Sequence, residues 1–154
     1  MKIRFIAEPT LGKLAKWLRI LGFDTIYTPD FTPSRLPQEI PPGRVLLTRT
    51  RQVQRNFKSG RFLFINSNDP VNQLREVIRA LKISQTDVKP FSRCILCNRP
   101  IETVKKESVR NRVPDYVWES ENAFRQCRFC NKIYWPGSHA ARSQARINRL
   151  FEAR

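Results

Sequence analysis

The sequence is short of acidic residues, of histidine and of long apolar runs, and its first 90 residues contain no cysteine. Thirteen Asp and Glu stand against 29 Lys and Arg over 154 residues, a formal net charge of +16 and a pI near 10.7. A surface so short of carboxylates needs or tolerates an anionic partner. Apolar stretches stay as brief as Phe62-Leu63-Phe64-Ile65, against the roughly 18 residues a membrane-spanning helix requires. That excludes a helical membrane anchor. The opening residues, Met1-Lys2-Ile3-Arg4-Phe5-Ile6-Ala7-Glu8, break their hydrophobic positions with charge and lack the apolar core of about 7 to 15 residues found in signal peptides. The expected location is the cytoplasm, where paired cysteines favour metal over disulfide.

What is present suffices for a core: 40% of residues are hydrophobic, with 10 Phe, 3 Trp and 3 Tyr, which excludes wholesale disorder. The length allows one ordinary domain and a small accessory unit. Residues 1–90 hold 16 basic and 7 acidic residues and residues 91–154 hold 13 and 6, so charge is spread evenly, yet all four cysteines lie in the second part. A boundary near residue 90 is expected, with an α/β unit over 1–90 and a cysteine-bearing unit over 91–154.

In the first unit, Ile3 to Ala7 reads as a short buried strand. Thr10 can cap a helix whose Leu11, Leu14, Ala15, Leu18 and Leu21 share one apolar face, and Gly22 ends it. Strands are expected at Thr25 to Tyr27, Arg44 to Leu47 and Phe62 to Ile65, with a Pro-rich stretch carrying one helical turn near Ser34 to Ile40. Leu74, Val77, Ile78 and Leu81 mark a second amphipathic helix capped at Asn68 or Asp69. Short apolar strands alternating with helices predict a mostly parallel sheet flanked by helices. Such sheets bind ligands beyond the carboxyl ends of their strands. That places Glu8, Asp30, Thr48-Arg49-Thr50 and Asn66-Ser67-Asn68-Asp69 in the candidate crevice.

Cys94-Ile95-Leu96-Cys97 and Cys127-Arg128-Phe129-Cys130 each put two thiols on a tight turn, and two such knuckles can complete the four-sulfur site that structural Zn²⁺ takes. Asn98 and Asn131 follow the pairs, a residue type that tolerates positive φ. The 29 residues between Cys97 and Cys127 exceed the usual interval of about 15 to 20, and an inserted loop around Pro114 and Glu119 to Asn122 accounts for the excess. Free or redox-active thiols are the alternative. The single histidine, His139, leaves the second knuckle as a proton shuttle, an RNA contact or a hydrogen-bonded structural residue.

Lys13, Lys16 and Arg19 recur on the first helix away from its leucines, and Arg142, Arg146 and Arg149 do the same near the C-terminus. Arg49, Arg51, Arg55, Lys58 and Arg61 form a basic loop, and Lys105, Lys106, Arg110 and Arg112 another. Uncompensated positive charge on this scale is the footprint of phosphate-backbone binding. Tyr134, Trp135, Phe129 and Trp118 supply either stacking surfaces for bases or the small core of a ribbon.

The run Leu11-Gly12-Lys13-Leu14-Ala15-Lys16-Trp17-Leu18-Arg19-Ile20-Leu21-Gly22-Phe23-Asp24-Thr25, with Arg44-Val45-Leu46-Leu47-Thr48-Arg49 and Gln73-Leu74-Arg75-Glu76-Val77, resembles the Mut-7 C-terminal RNase domain family. So do Phe91-Ser92-Arg93-Cys94-Ile95-Leu96-Cys97-Asn98 and the run from Cys127 to His139. The resemblance implies a PIN-like nuclease fold followed by a zinc ribbon and a C-terminal helix. It also implies acidic side chains that hold Mg²⁺ or Mn²⁺ to activate water against an RNA phosphodiester. The family's aspartate after the first strand falls on Glu8, whose extra methylene moves the carboxylate by roughly an ångström, a misplacement that can cost about 100-fold in rate. The aspartate expected two residues after Thr48 falls on Thr50, while Asp30 and Asp69 remain as ligands and Thr48 keeps the family hydroxyl.

Three readings follow. The first is an RNA-binding protein on a degraded nuclease scaffold, contacting ribosomal RNA, a ribosomal subunit or tRNA. The second is a metal-dependent endoribonuclease using Glu8, Asp30 and Asp69 with Thr48 or Thr50 holding water. The third is a protein-interaction module built on the ribbon.

Overall fold

The computed structural model describes residues 2–30, 40–56 and 61–152. Its strands β1 (Arg4–Ala7), β2 (Thr25–Tyr27), β3 (Arg44–Thr48) and β4 (Arg61–Phe64) make one all-parallel sheet in the order β2-β1-β3-β4. Side chains alternate across a strand, and the two central strands are covered on both faces. Phe5, Ala7, Val45 and Leu47 face the larger core, and Ile6 and Leu46 face a smaller one with Val53. The parallel α/β architecture expected from the apolar runs is the one observed.

Helix α1 (Gly12–Ile20) buries Leu14, Ala15 and Leu18 in the larger core and packs beside α3 (Pro70–Ala80), which adds Leu74, Val77 and Ile78. Each of the Leu, Val and Ile side chains contributes about 1.5 to 3 kcal/mol when fully removed from water. Asp69 caps α3, its carboxylate accepting from the Asn72 amide at 3.0 Å, and Pro70 supplies the preset φ of the first turn. Thr10 does not cap α1. A 3₁₀ turn, Pro9–Leu11, precedes that helix, and the Thr10 hydroxyl donates to Glu8 instead. Gly22 ends α1 with φ +95°, where a Cβ would meet the Lys89 carbonyl oxygen at 2.5 Å, so only glycine fits.

The stretch after β3, expected as a basic loop, contains a short helix α2 (Arg51–Asn56) whose Val53 closes the smaller core. The sequence gives that helix little periodic signal because a single apolar residue anchors it. Lys58 and the expected turn at residues 34–39 lie outside the described residues.

Beyond residue 90, β5 (Glu102–Val104), β6 (Phe124–Gln126) and β7 (Ile133–Tyr134) form a small antiparallel sheet. The long interval between the cysteine pairs is more than an inserted loop. It carries a 3₁₀ turn, Lys106–Val109, and helix α4 (Asp115–Ser120), and Val109, Val113, Val117 and Phe124 build a third core with Trp118 and Trp135 packed against it. The last helix, α5 (Ser138–Glu152), returns to the first unit and places Ile147 and Leu150 in the larger core. Among the described residues, no helix is long and apolar enough to cross a membrane.

Candidate functional site

Because all four strands of the larger sheet run the same way, their carboxyl ends share one edge, and β1 and β3 bring Glu8 against Thr48 and Thr50 there. Glu8 is 1% exposed. Its Oε1 accepts from the Thr10 hydroxyl at 2.8 Å and the Arg49 amide at 2.6 Å. Its Oε2 accepts from the Thr48 hydroxyl at 2.9 Å and the Thr50 hydroxyl at 2.8 Å. Two bonds on each oxygen match the roughly four acceptor positions of a carboxylate. Thr48 in turn accepts from the Thr50 amide at 3.0 Å, so the three threonines and the glutamate form one closed network.

The other expected acidic residues do not join it. Asp69 is exposed and spends its carboxylate on the cap of α3, and Asp30 is exposed beyond β2. A carboxylate not singled out in the sequence stands at the same edge: Glu76 accepts from the Asn66 amide at 2.9 Å and the Ser67 amide at 2.7 Å, tying α3 to the segment after β4. Among the described residues, the cysteines make the group of metal-ligating side chains close enough to share an ion.

The sulfurs of Cys94, Cys97, Cys127 and Cys130 all lie within 4.8 Å of one another, with Cys94 and Cys130 3.7 Å apart. A tetrahedral ion with sulfurs at about 2.3 Å requires them roughly 3.8 Å from each other, so the donor set and its spacing fit a metal such as zinc. Asn98 and Asn131 close the two knuckles at φ 63° and 65°, as their residue type suggested. Burial opposes ionisation of Cys94, but hydrogen bonds from Tyr134 and from the Cys97 and Leu96 amides outweigh it and lower the thiol to about 7. Cys97 is pushed up to about 12 by loss of hydration and by the neighbouring sulfurs. Thiolates that repel one another in this way are brought together by a cation. The Tyr134 hydroxyl donates to Cys94 Sγ at 3.1 Å and accepts from the Ile95 amide at 3.2 Å, orienting the knuckle from outside.

The first knuckle is bonded to the parallel sheet. Arg19, expected to face solvent beside Lys13 and Lys16, instead donates to the Thr25 carbonyl at 2.9 Å and the Ile95 carbonyl at 2.8 Å. Loss of hydration lowers the pKa of that guanidinium, against the pull of Cys94, Cys97 and Asp24. Asn98 accepts from the Thr25 amide at 2.8 Å and donates to Asp24 at 2.7 Å, and Asp24 also pairs with Arg44 at 2.8 Å. Partial burial raises the Asp24 pKa, but the Arg44 and Asn98 hydrogen bonds prevail and hold it below the ordinary 3.8. Asp24 and Asn98 stood in plain view in the sequence, but no spacing rule pairs residues 74 positions apart.

Most of the other candidate phosphate-binding cations stay at the surface. Lys13, Lys16, Arg55, Arg142, Arg146 and Arg149 are exposed, the last three opposite the buried Ile147 and Leu150. Arg51 is exposed and lies 4.4 Å over the Phe64 ring, and Arg49 is half-buried beside Thr50. His139 sits in the first turn of α5, its Nδ1 3.2 Å from the Arg142 guanidinium.

A parallel α/β body whose first strand ends on a buried acid, joined to a four-cysteine ribbon, is the class these features define. A family model described as the Mut7-C RNAse domain matches residues 3–147, and the chain belongs to that family. Neither curated proteins nor solved structures provide a match.

Proposed function

We propose that this protein holds RNA on a PIN-like nuclease scaffold whose acidic site no longer supports hydrolysis. The observation that carries this reading is the Glu8 carboxylate, buried and saturated by Thr10, Thr48, Thr50 and the Arg49 amide. A Mg²⁺ or Mn²⁺ ion needs lone pairs facing an open crevice and further oxygen ligands beside them. Glu8 has its lone pairs engaged and only neutral hydroxyls beside it, and Asp69 is engaged as a helix cap. The residues present do not fit the ion. A network of this kind removes the repulsion that clustered carboxylates exert on phosphate and leaves Arg49 and Arg51 beside the crevice.

The net charge of +16 and the exposed Lys13, Lys16, Arg55, Arg142, Arg146 and Arg149 supply phosphate contacts. The four cysteines hold structural zinc, the metal best matched to four thiolates, and the setting is cytoplasmic. Structured RNA such as ribosomal RNA, within a subunit or free, or tRNA is the partner class. Membership in an RNase family favours a second reading, an active endoribonuclease, which would need Asp30 and Asp69 brought to Glu8 as metal ligands.

Crosslinking to cellular RNA with mapping of the bound positions separates the two. Bound sites without new ends, and no cleavage of labelled RNA in Mg²⁺ or Mn²⁺, support the binder. Cleavage that disappears in a Glu8→Gln, Asp69→Asn double variant establishes the nuclease. Absence of any RNA crosslink, with a protein captured on the ribbon instead, turns the assignment to an interaction module.

A further inference from the structure

The tips of the two knuckles carry an exposure that metal binding does not require. Leu96 is 58% exposed and Phe129 66% exposed, each the third residue of its cysteine pair. Both lie in the turns whose four sulfurs cluster within 4.8 Å of one another. The small core of the ribbon takes Phe124, Trp118 and Trp135 and leaves Phe129 outside. Arg99, which follows the first knuckle, crosses to the second and lays its guanidinium 4.4 Å over the Phe129 ring. One face of the ring is therefore held by a cation from the opposite knuckle, and the exposed remainder looks outward.

The surroundings are cationic. Arg112 donates to the Asn131 carbonyl at 3.0 Å, which brings a guanidinium to the second knuckle, and Lys132 is exposed next to it. Arg128, between Cys127 and Phe129, forms an ion pair with Glu102. Resting on the RNA-binding reading above, the geometry points to Phe129 and Arg99 as a stacking platform for an unpaired RNA base, with the neighbouring Arg112 and Lys132 on the flanking phosphates. An aromatic ring and an arginine plane are the two surfaces on which splayed bases stack, and neither selects one base over another. Base-paired residues inside a duplex cannot reach such a platform. The ribbon thus prefers single-stranded segments, whereas the helical arginines read charge alone.

The test compares binding of a labelled single-stranded uridine oligomer and an RNA duplex of equal length to the full chain and to two variants. Phe129→Leu keeps the apolar bulk that a protein partner would use but removes the π-face, and Phe129→Trp restores a larger one. The expected result is a loss of about 5- to 100-fold for the single strand with Phe129→Leu. Affinity recovers with Phe129→Trp, and the duplex binds all three alike. Equal single-strand affinity in Phe129→Leu and the parent overturns the platform while leaving the RNA-binding reading intact. An equal loss on both probes also overturns it, as does a Trp variant that binds no better than the Leu variant. If the parent chain binds neither probe at low salt, the RNA-binding reading fails and the platform goes with it. Bound metal measured in each variant shows that the knuckles have kept their ion.

Discussion

Arg19 of α1 donates to the Ile95 carbonyl at 2.8 Å, and through that bond the parallel sheet and the first cysteine knuckle share a residue. A cation that the helical pattern assigns to solvent is in fact a strut between the two parts of the chain. Its Nε holds the Thr25 carbonyl, so one planar group spans α1, β2 and the knuckle.

Replacing Arg19 with Ala leaves the Thr25 and Ile95 carbonyls without their donor. The expected cost is about 1 to 3 kcal/mol in urea unfolding, and Arg19→Lys recovers little of it because an ammonium cannot reproduce the planar fork. The slope of RNA affinity against salt should stay close to that of the parent, since the side chain is not a free phosphate ligand. A slope reduced by a full contact would return Arg19 to the binding surface.

Glu8→Gln swaps one acceptor oxygen for an NH₂ group that faces hydroxyl and amide donors. Although a buried charge is removed, the NH₂ either meets the Arg49 amide or forces the Thr48 and Thr50 hydroxyls to turn from donors into acceptors, and unfolding should become easier by about 1 to 3 kcal/mol. RNA affinity should change little. A variant as stable as the parent would show that the four bonds to Glu8 are not a clasp.

Gly22→Ala must fit a Cβ 2.5 Å from the Lys89 carbonyl oxygen at φ +95°. Thermal unfolding should fall by several degrees, corresponding to a loss of more than about 1 kcal/mol. Gly12→Ala serves as the comparison, because its added Cβ meets the Tyr27 hydroxyl at 3.2 Å at the start of a helix, where alanine is favoured.

Asp24 ties pH to the junction. Its folded pKa lies below the ordinary 3.8, so it contributes stability that is present above pH 3.8 and lost as pH falls through the lower, folded value. Asp24→Asn should flatten the acid limb of the stability curve below about pH 4 while lowering the plateau at neutral pH. An unchanged acid limb would deny Asp24 this role.

Chelation should act unevenly. Where the proposed zinc is bound, its removal frees Cys94, Cys97, Cys127 and Cys130, and hydrogen exchange should rise first in β5, β6 and β7. The strands β1 and β3 should keep their protection, because Phe5, Val45 and Leu47 belong to the other core. Equal exposure of both sheets would mean that the ribbon and the α/β body unfold as one unit.

The amino-acid order by itself determined the four strands of the parallel sheet, the helices α1 and α3, and the thiol site. Leu14, Leu18, Leu74 and Val77 recur at helical spacing, the apolar runs at Phe5 to Ala7 and Val45 to Leu47 are short, and each CxxC turn is local. Such patterns are legible because periodicity and tight turns are properties of neighbouring residues. Only the tertiary structure decided what the chemistry-bearing groups face. Glu8 meets Thr48 and Thr50 through strand pairing, Arg19 finds Ile95 and Asn98 finds Thr25 across the junction, and α5 folds back to bury Ile147. Those partners lie tens of residues apart, and a hydrogen bond between distant positions leaves no period in the chain; it exists once the sheet register and the docking of the knuckle have set the distance.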